Sequence, residues 1–119
     1  MPVVIKRVQE AATPDDGERI LVDRLWPRGI SHERAQLDGW AKEIAPTAAL
    51  RIWFHHDPER MAEFTRRYRA ELETRPEARE AVQHLLDTLE QGKKITLVYA
   101  AKDPELNQAK VLAEYLTGR

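Results

Sequence analysis

The chain contains no cysteine. That absence excludes disulfides, thiolate-ligated zinc or iron–sulfur centres and thiol nucleophiles, and it fits a reducing cytoplasm. No apolar run approaches the roughly 20 residues that a membrane helix needs. The opening MPVVIKRVQE lacks the apolar stretch of a signal peptide. A cytoplasmic protein with no membrane association is therefore expected. Charge of one sign is not in excess either: 19 Lys+Arg face 20 Asp+Glu, a formal net charge of −1. The whole molecule is thus no general polyanion binder, and any preference for phosphate or nucleic acid must come from a local patch. Repeats, low-complexity segments and linkers are lacking too. What is there suits one domain spanning 1–119, with 42% hydrophobic and 33% charged residues and enough length for a real core.

The organising stretch is ILVDRLWPRG at 20–29. Its first half is apolar and asks for the interior; its second half carries Asp23, Arg24 and Arg28, which cannot stay there unpaired. A strand over 19–25, stopped by Pro27 and Gly29, would deliver those charges to one edge of the fold. Another strand is expected over 3–8 (VVIKRV), and a third over 95–100 (ITLVYA), whose continuous apolar run marks burial on both faces. Pro14, Asp15, Asp16 and Gly17 supply turn chemistry between the first two; that connection lets them either form a hairpin or lie parallel.

Helices fill the intervals. Ser31 is an N-cap, and Leu37, Trp40, Ala41 and Ile44 fall on one helical face, ended by Pro46. Thr47 caps a short turn through Phe54. Asp57-Pro58 starts a helix with Met61, Phe64, Tyr68 and Leu72 as its buried stripe. A further helix follows Arg75-Pro76, facing inward through Ala78, Ala81, Val82, Leu85, Leu86 and Leu89, with Gly92 as its C-terminal glycine. Asp103-Pro104 repeats the cap-plus-proline start for the last helix. Strands alternating with helices predict an α/β fold: a small, largely parallel sheet of about three strands covered by helices in a three-layer-like arrangement.

In such sheets ligands bind beyond the carboxyl ends of the strands. The second strand leaves Asp23, Arg24 and Arg28 there; the third leaves Tyr99, Lys102 and Asp103, beside a helix N-terminus with Asn107 in its first turn. Asp23 suits a general base or a structural ion pair with Arg24 or Arg28. The arginines suit a bidentate clamp on phosphate or carboxylate, or surface salt bridges. Lys102 directly follows a buried strand, which marks it as a further cation or proton carrier. Trp26 would stack on a ligand ring or pack in the core, as would Trp40 and Trp53. In His55-His56-Asp57, adjacent histidines point in different directions, which argues against a metal pair; His56 is the proton carrier or hydrogen-bond donor, and Asp57 an N-cap. His32 and His84 are expected on solvated helix faces. Neither a metal nor a cofactor is expected.

Four segments carry a family resemblance: the opening IKRV, VDRLWPRG at 22–29, WAKEIAPTAALRIWFHHDPERMAEFTRRYRAEL at 40–72, and ITLVYAAKDPELNQAKVL at 95–112. Together they resemble the YeaO-like group of small bacterial proteins, within a larger domain family of unknown function. The resemblance implies a compact α/β domain and brings no established reaction. Other branches of the larger family have an aspartate-arginine pair after one strand and a Cys-His-Arg triplet opening the last helix. Here the pair survives as Asp23-Arg24, while the triplet reads Asn107-Gln108-Ala109; chemistry that depends on a thiol or imidazole there is absent or changed. The motifs carry over Asp23, Arg24, Trp26, Pro27, Arg28, Gly29, Lys42, Trp53, Phe54, His56, Asp57, Lys102 and Asn107 as positions of interest, with the loop around 54–57 as a possible lid.

Two functional readings follow. In one, a small enzyme acts on an anionic small molecule, such as a nucleotide or sugar phosphate: Arg24, Arg28 and Lys102 hold it, and Asp23, His56 or Lys102 moves protons. In the other, a non-catalytic module binds a nucleotide, a nucleic acid or a protein, the nucleic acid being disfavoured by the net charge. A third possibility makes RLWPRG architectural, with Asp23 and the arginines in a closed salt-bridge network. Substrate identity and oligomeric state are not encoded in any recognisable motif.

Overall fold

A computed structural model describes residues 2–118. Four parallel strands form one sheet in the order β1-β4-β2-β3, with β1 at Val3–Arg7, β2 at Glu18–Leu21, β3 at Gly39–Trp40 and β4 at Ile95–Tyr99. β4 is buried at every position, as its unbroken apolar run demands, and both β1 and β2 pair with it. The first two strands are therefore parallel and separated by the last one. The connection between them is thus no hairpin, and the two strands lie parallel without pairing with each other. The second strand ends at Leu21 rather than Leu25; the Val22 N–H still donates to the Val98 carbonyl at 3.0 Å, and the chain leaves the sheet at Asp23.

The helices are α1 (His32–Ala35), α2 (Ala48–Phe54), α3 (Met61–Thr74), α4 (Pro76–Glu90) and α5 (Gln108–Leu116). Ser31 and Thr47 cap α1 and α2 as expected, accepting from the Arg34 and Leu50 N–H groups. Thr47 is itself held by Glu71 of α3, at 2.9 Å to its N–H and 2.7 Å to its hydroxyl. Phe64, Tyr68 and Leu72 of α3 and Ala78, Val82 and Leu85 of α4 meet β2 and β4 in the main core; Val8, Leu21, Ile30, Ala35 and Val98 make a smaller cluster.

Two expected helices are different in the structure. Leu37, Trp40, Ala41 and Ile44 share no helix: Gly39–Trp40 is the edge strand, and only Lys42–Ile44 makes a 3-10 turn. The i, i+3, i+4, i+7 spacing was fortuitous. The backbone of this segment is claimed by β2, through Asp38 N–H to the Arg19 carbonyl and Ala41 N–H to the Leu21 carbonyl, both at 2.8 Å. The last helix begins at Gln108, not at Pro104. Asp103 does accept from the Glu105 and Leu106 N–H groups, but this closes a local turn, and the helix starts only where Asn107 accepts from Lys110 N–H at 2.9 Å.

The amino end of the sheet holds a buried ionic cluster that the turn sequence conceals. Asp16 accepts from Lys6 Nζ at 3.0 Å, Arg19 Nη1 at 2.7 Å and the Thr13 hydroxyl at 2.9 Å. Burial alone would raise its pKa, but these donors and the Thr13 N–H hold the carboxyl far below the usual carboxylate range.

Candidate functional site

Beyond the carboxyl ends of β2 and β4 lies a hollow of about 200 Å³. Asp23, Arg24, Arg51, His56 and Gln108 line it, with Phe54, Phe64 and Pro27 among its apolar walls. Asp23 organises the edge. Its Oδ2 accepts from the Ala100 N–H at 3.0 Å, its Oδ1 from Gln108 Nε2 at 2.5 Å, and its carbonyl from Trp40 Nε1 at 2.7 Å. One residue thus ties the ends of β2, β3 and β4 to the start of α5. Burial raises the Asp23 pKa above the ordinary carboxylate value. The Ala100 N–H, the Gln108 amide and the through-space charge of Arg51 pull the other way and offset only part of the effect.

Arg24 forms no pair with Asp23. Its Nε and Nη2 donate to the carbonyls of Pro46 and Ala45, at 3.3 and 3.2 Å, which orients the guanidinium without neutralising it. Arg51 arrives from the exposed side of α2. His56 has φ +52° and follows His55 at φ +48°, two successive left-handed residues without glycine, a conformation that surrounding contacts must hold. Its Nδ1 lies 2.9 Å from the Leu106 carbonyl. A carbonyl only accepts, so Nδ1 carries the hydrogen and donates it. Phe54 stacks on Phe64 at 4.1 Å behind it.

The other expected positions lie elsewhere. Lys102 and Arg28 are exposed and do not line the hollow. Gly29 makes the positive-φ turn (+74°) that ends the RLWPRG motif. Trp26 closes that turn: Nε1 donates to the Ile30 carbonyl at 2.6 Å, and the ring stacks on His32 at 3.9 Å, so His32 is exposed but not merely solvated. Trp40, expected as helix packing, stands on the edge strand with 39% of its surface exposed, and Lys42 sits 5.4 Å over its ring. Trp53 packs under Arg60 and Arg67 at 5.2 and 4.3 Å. Asp57 caps the Pro58–Arg60 turn through Glu59 N–H. Asn107 is fully buried with both polar ends engaged, donating to the Asp103 carbonyl at 2.8 Å and capping α5. The closed network of Asp23 with neighbouring arginines does not form, because Asp23 and Arg24 turn to different partners.

Sequence reasoning singled out neither Arg51 nor Gln108. Arg51 belongs to no motif, and one arginine on a short helix carries no signal of its own. Gln108 was visible only as a departure from a triplet, although the first residue of a helix beside a strand tip is well placed to reach it. Among the described residues, no group of three His, Asp or Glu side chains is placed to hold a metal ion.

A family model described as the inactive DUF488-N3 subclade matches residues 2–119. The chain belongs to this subclade. It is similar to the uncharacterised YeaO protein of Escherichia coli K12, at 42% identity over 116 residues, covering 98% of this chain and 97% of that protein. It is also similar to uncharacterised proteins of Mycobacterium tuberculosis H37Rv and Mycobacterium bovis, each 41% identical over 117 residues, covering 98% of this chain and 95% of those. No solved structure matches the chain. In this member of the subclade the hydrogen-bond donors to the Asp23 carboxylate, among the described residues, are an amide side chain and a backbone N–H.

Proposed function

We propose that the hollow binds a phosphate- or carboxylate-bearing small molecule and does so without turnover. The carrying observation is the charge balance: two guanidinium groups, Arg24 and Arg51, stand against one carboxylate whose ionisation burial already disfavours. No ion pair within 4 Å ties up either arginine among the described residues. Guanidinium pairs of this kind favour planar or tetrahedral oxyanions. A space of about 200 Å³ suits a compact anionic head rather than a whole nucleotide. Two facts support binding without chemistry: both Asp23 oxygens are engaged, and the subclade is described as inactive. The enzymatic reading keeps one supporting observation, the raised Asp23 pKa in a hollow that His56 also lines.

Thermal unfolding with inorganic phosphate, small carboxylates and sugar phosphates tests the proposal. A ligand at a hundred times its Kd raises the midpoint by on the order of 10 °C. Arg51→Ala, an exposed position, should fold normally and lose that shift. An unchanged shift in Arg51→Ala, or no shift with any anion, overturns the proposal; consumption of a stabilising ligand turns it into the enzymatic one.

A further inference from the structure

A second concavity, about 650 Å³, lies on the other side of the edge strand. Its floor is Ile20 and Gly39 of the sheet; its walls are the 40–43 segment and the flank of α4 presenting Ala81, His84 and Leu85. Five carboxylates line it: Glu18, Asp38, Glu43, Glu77 and Glu80. Against them stand only Lys42 and His84 among the lining residues, in a molecule whose formal net charge is −1. Two of the acids have only loose partners, Glu18 with Lys93 at 3.8 Å and Glu77 with the part-buried Arg75 at 3.6 Å. Asp38 accepts from the Arg19 N–H, and among the described residues Glu43 and Glu80 form no ion pair. The groove therefore joins an apolar floor and a partly exposed indole, Trp40, to a rim of one charge sign.

The geometry points to a docking groove for an extended, basic peptide segment of a partner protein. Two features favour an extended peptide over a compact cation. The groove runs beside β3, the outermost strand of the sheet, whose far edge pairs with no other strand among the described residues. An extended chain laid over this floor alternates its side chains at period two, so apolar residues turn down to Ile20, Gly39 and Leu85 while the long Arg or Lys side chains between them reach the acids on the rim. Trp40 adds an aromatic face for a guanidinium. Neither Arg24 nor Arg51 lines this groove, and its link to the hollow is Trp40, whose Nε1 donates to the Asp23 carbonyl.

The test is fluorescence anisotropy of a fluorescein-labelled octapeptide of alternating arginine and valine, titrated with the full chain at low salt. Binding is expected to weaken about tenfold in Glu77→Gln/Glu80→Gln, since two exposed charge contacts are lost, and to fall with added salt. Both glutamates are exposed on α4, so the double variant keeps its fold, which circular dichroism verifies. Unchanged affinity in the double variant overturns the proposal, as does equal binding of an alternating glutamate–valine peptide. Displacement of the peptide by spermine at equal charge concentration also overturns it, because the groove would then hold any cation. Arg51→Ala should leave peptide binding intact, which separates this inference from the anion site.

Discussion

The side-chain amide of Gln108 donates to Asp23 Oδ1 at 2.5 Å, joining residues 85 positions apart in the chain. With the Ala100 N–H on the other oxygen, the carboxylate is positioned and partly shielded by groups that carry no charge. Uncharged donors offset desolvation less than a cation in contact would, so the Asp23 pKa stays raised. The sign of the stability effect follows. A raised carboxyl favours the folded state while protonated, and that contribution is lost as pH climbs from the unfolded-state value through the folded one. Asp23→Asn cannot ionise. It should match the parent near pH 3 and equal or exceed it in stability at pH 7, with Gln108 turning its carbonyl toward the new amide. Urea midpoints of both proteins across that range check this; a variant that is less stable at pH 7 than at pH 3, relative to the parent, contradicts it.

Asp16 behaves in the opposite sense. Burial would raise its pKa, but Lys6, Thr13 and Arg19 depress it strongly, so its stabilising contribution is present above the ordinary carboxylate range and fades as pH falls below about 4. Asp16→Asn removes the counter-charge of Arg19, whose side chain is 3% exposed. Breaking such a buried pair from one side costs about 3–5 kcal/mol at pH 7. Urea denaturation at pH 7 and again at pH 3 should show the parent's advantage over the variant shrinking with acidity.

These two aspartates also show what was legible in the sequence. Asp23 could be placed because an apolar strand must stop where charge begins, and the strand-edge rule for α/β sheets then locates the hollow. Asp16 read as turn chemistry, because its partners Lys6 and Arg19 lie on two strands whose common neighbour is the last strand of the chain. The edge strand was misread because a two-residue strand has no period of its own, so the accidental spacing of Leu37, Trp40, Ala41 and Ile44 dominated. The late start of α5 escaped because Asp103-Pro104 satisfies its own turn. The partners of Asp23 depend on how α2 and α5 dock, which periodicity does not specify.

Asn107 should prove structural. It caps α5 and spans the loop back to Asp103 from a fully buried position. Asn107→Ala loses a cap, about 0.5–2 kcal/mol, and the part-buried hydrogen bond to the Asp103 carbonyl, a further net loss of about 0.5–1.5 kcal/mol. Because α5 carries Gln108, fraying its first turn would also loosen the amide on Asp23. A denaturation midpoint lowered by this amount supports the assignment, whereas a variant of parental stability with altered anion binding would return Asn107 to the ligand.

Trp40 connects the two concavities. Its ring lines the acidic groove, while its Nε1 donates to the carbonyl of Asp23 at 2.7 Å. Trp40→Phe keeps an aromatic face in the groove and deletes that donor. The net loss of one hydrogen bond is about 0.5–1.5 kcal/mol, and the loss falls at the point where β2 turns toward the hollow. The variant should therefore unfold at slightly lower urea, retain most of its affinity for the arginine–valine peptide, and bind phosphate more weakly because Asp23 and Arg24 are less firmly placed. Parental phosphate binding in Trp40→Phe would mean that the Ala100 and Gln108 contacts suffice to hold that edge, leaving the indole N–H with a purely structural role.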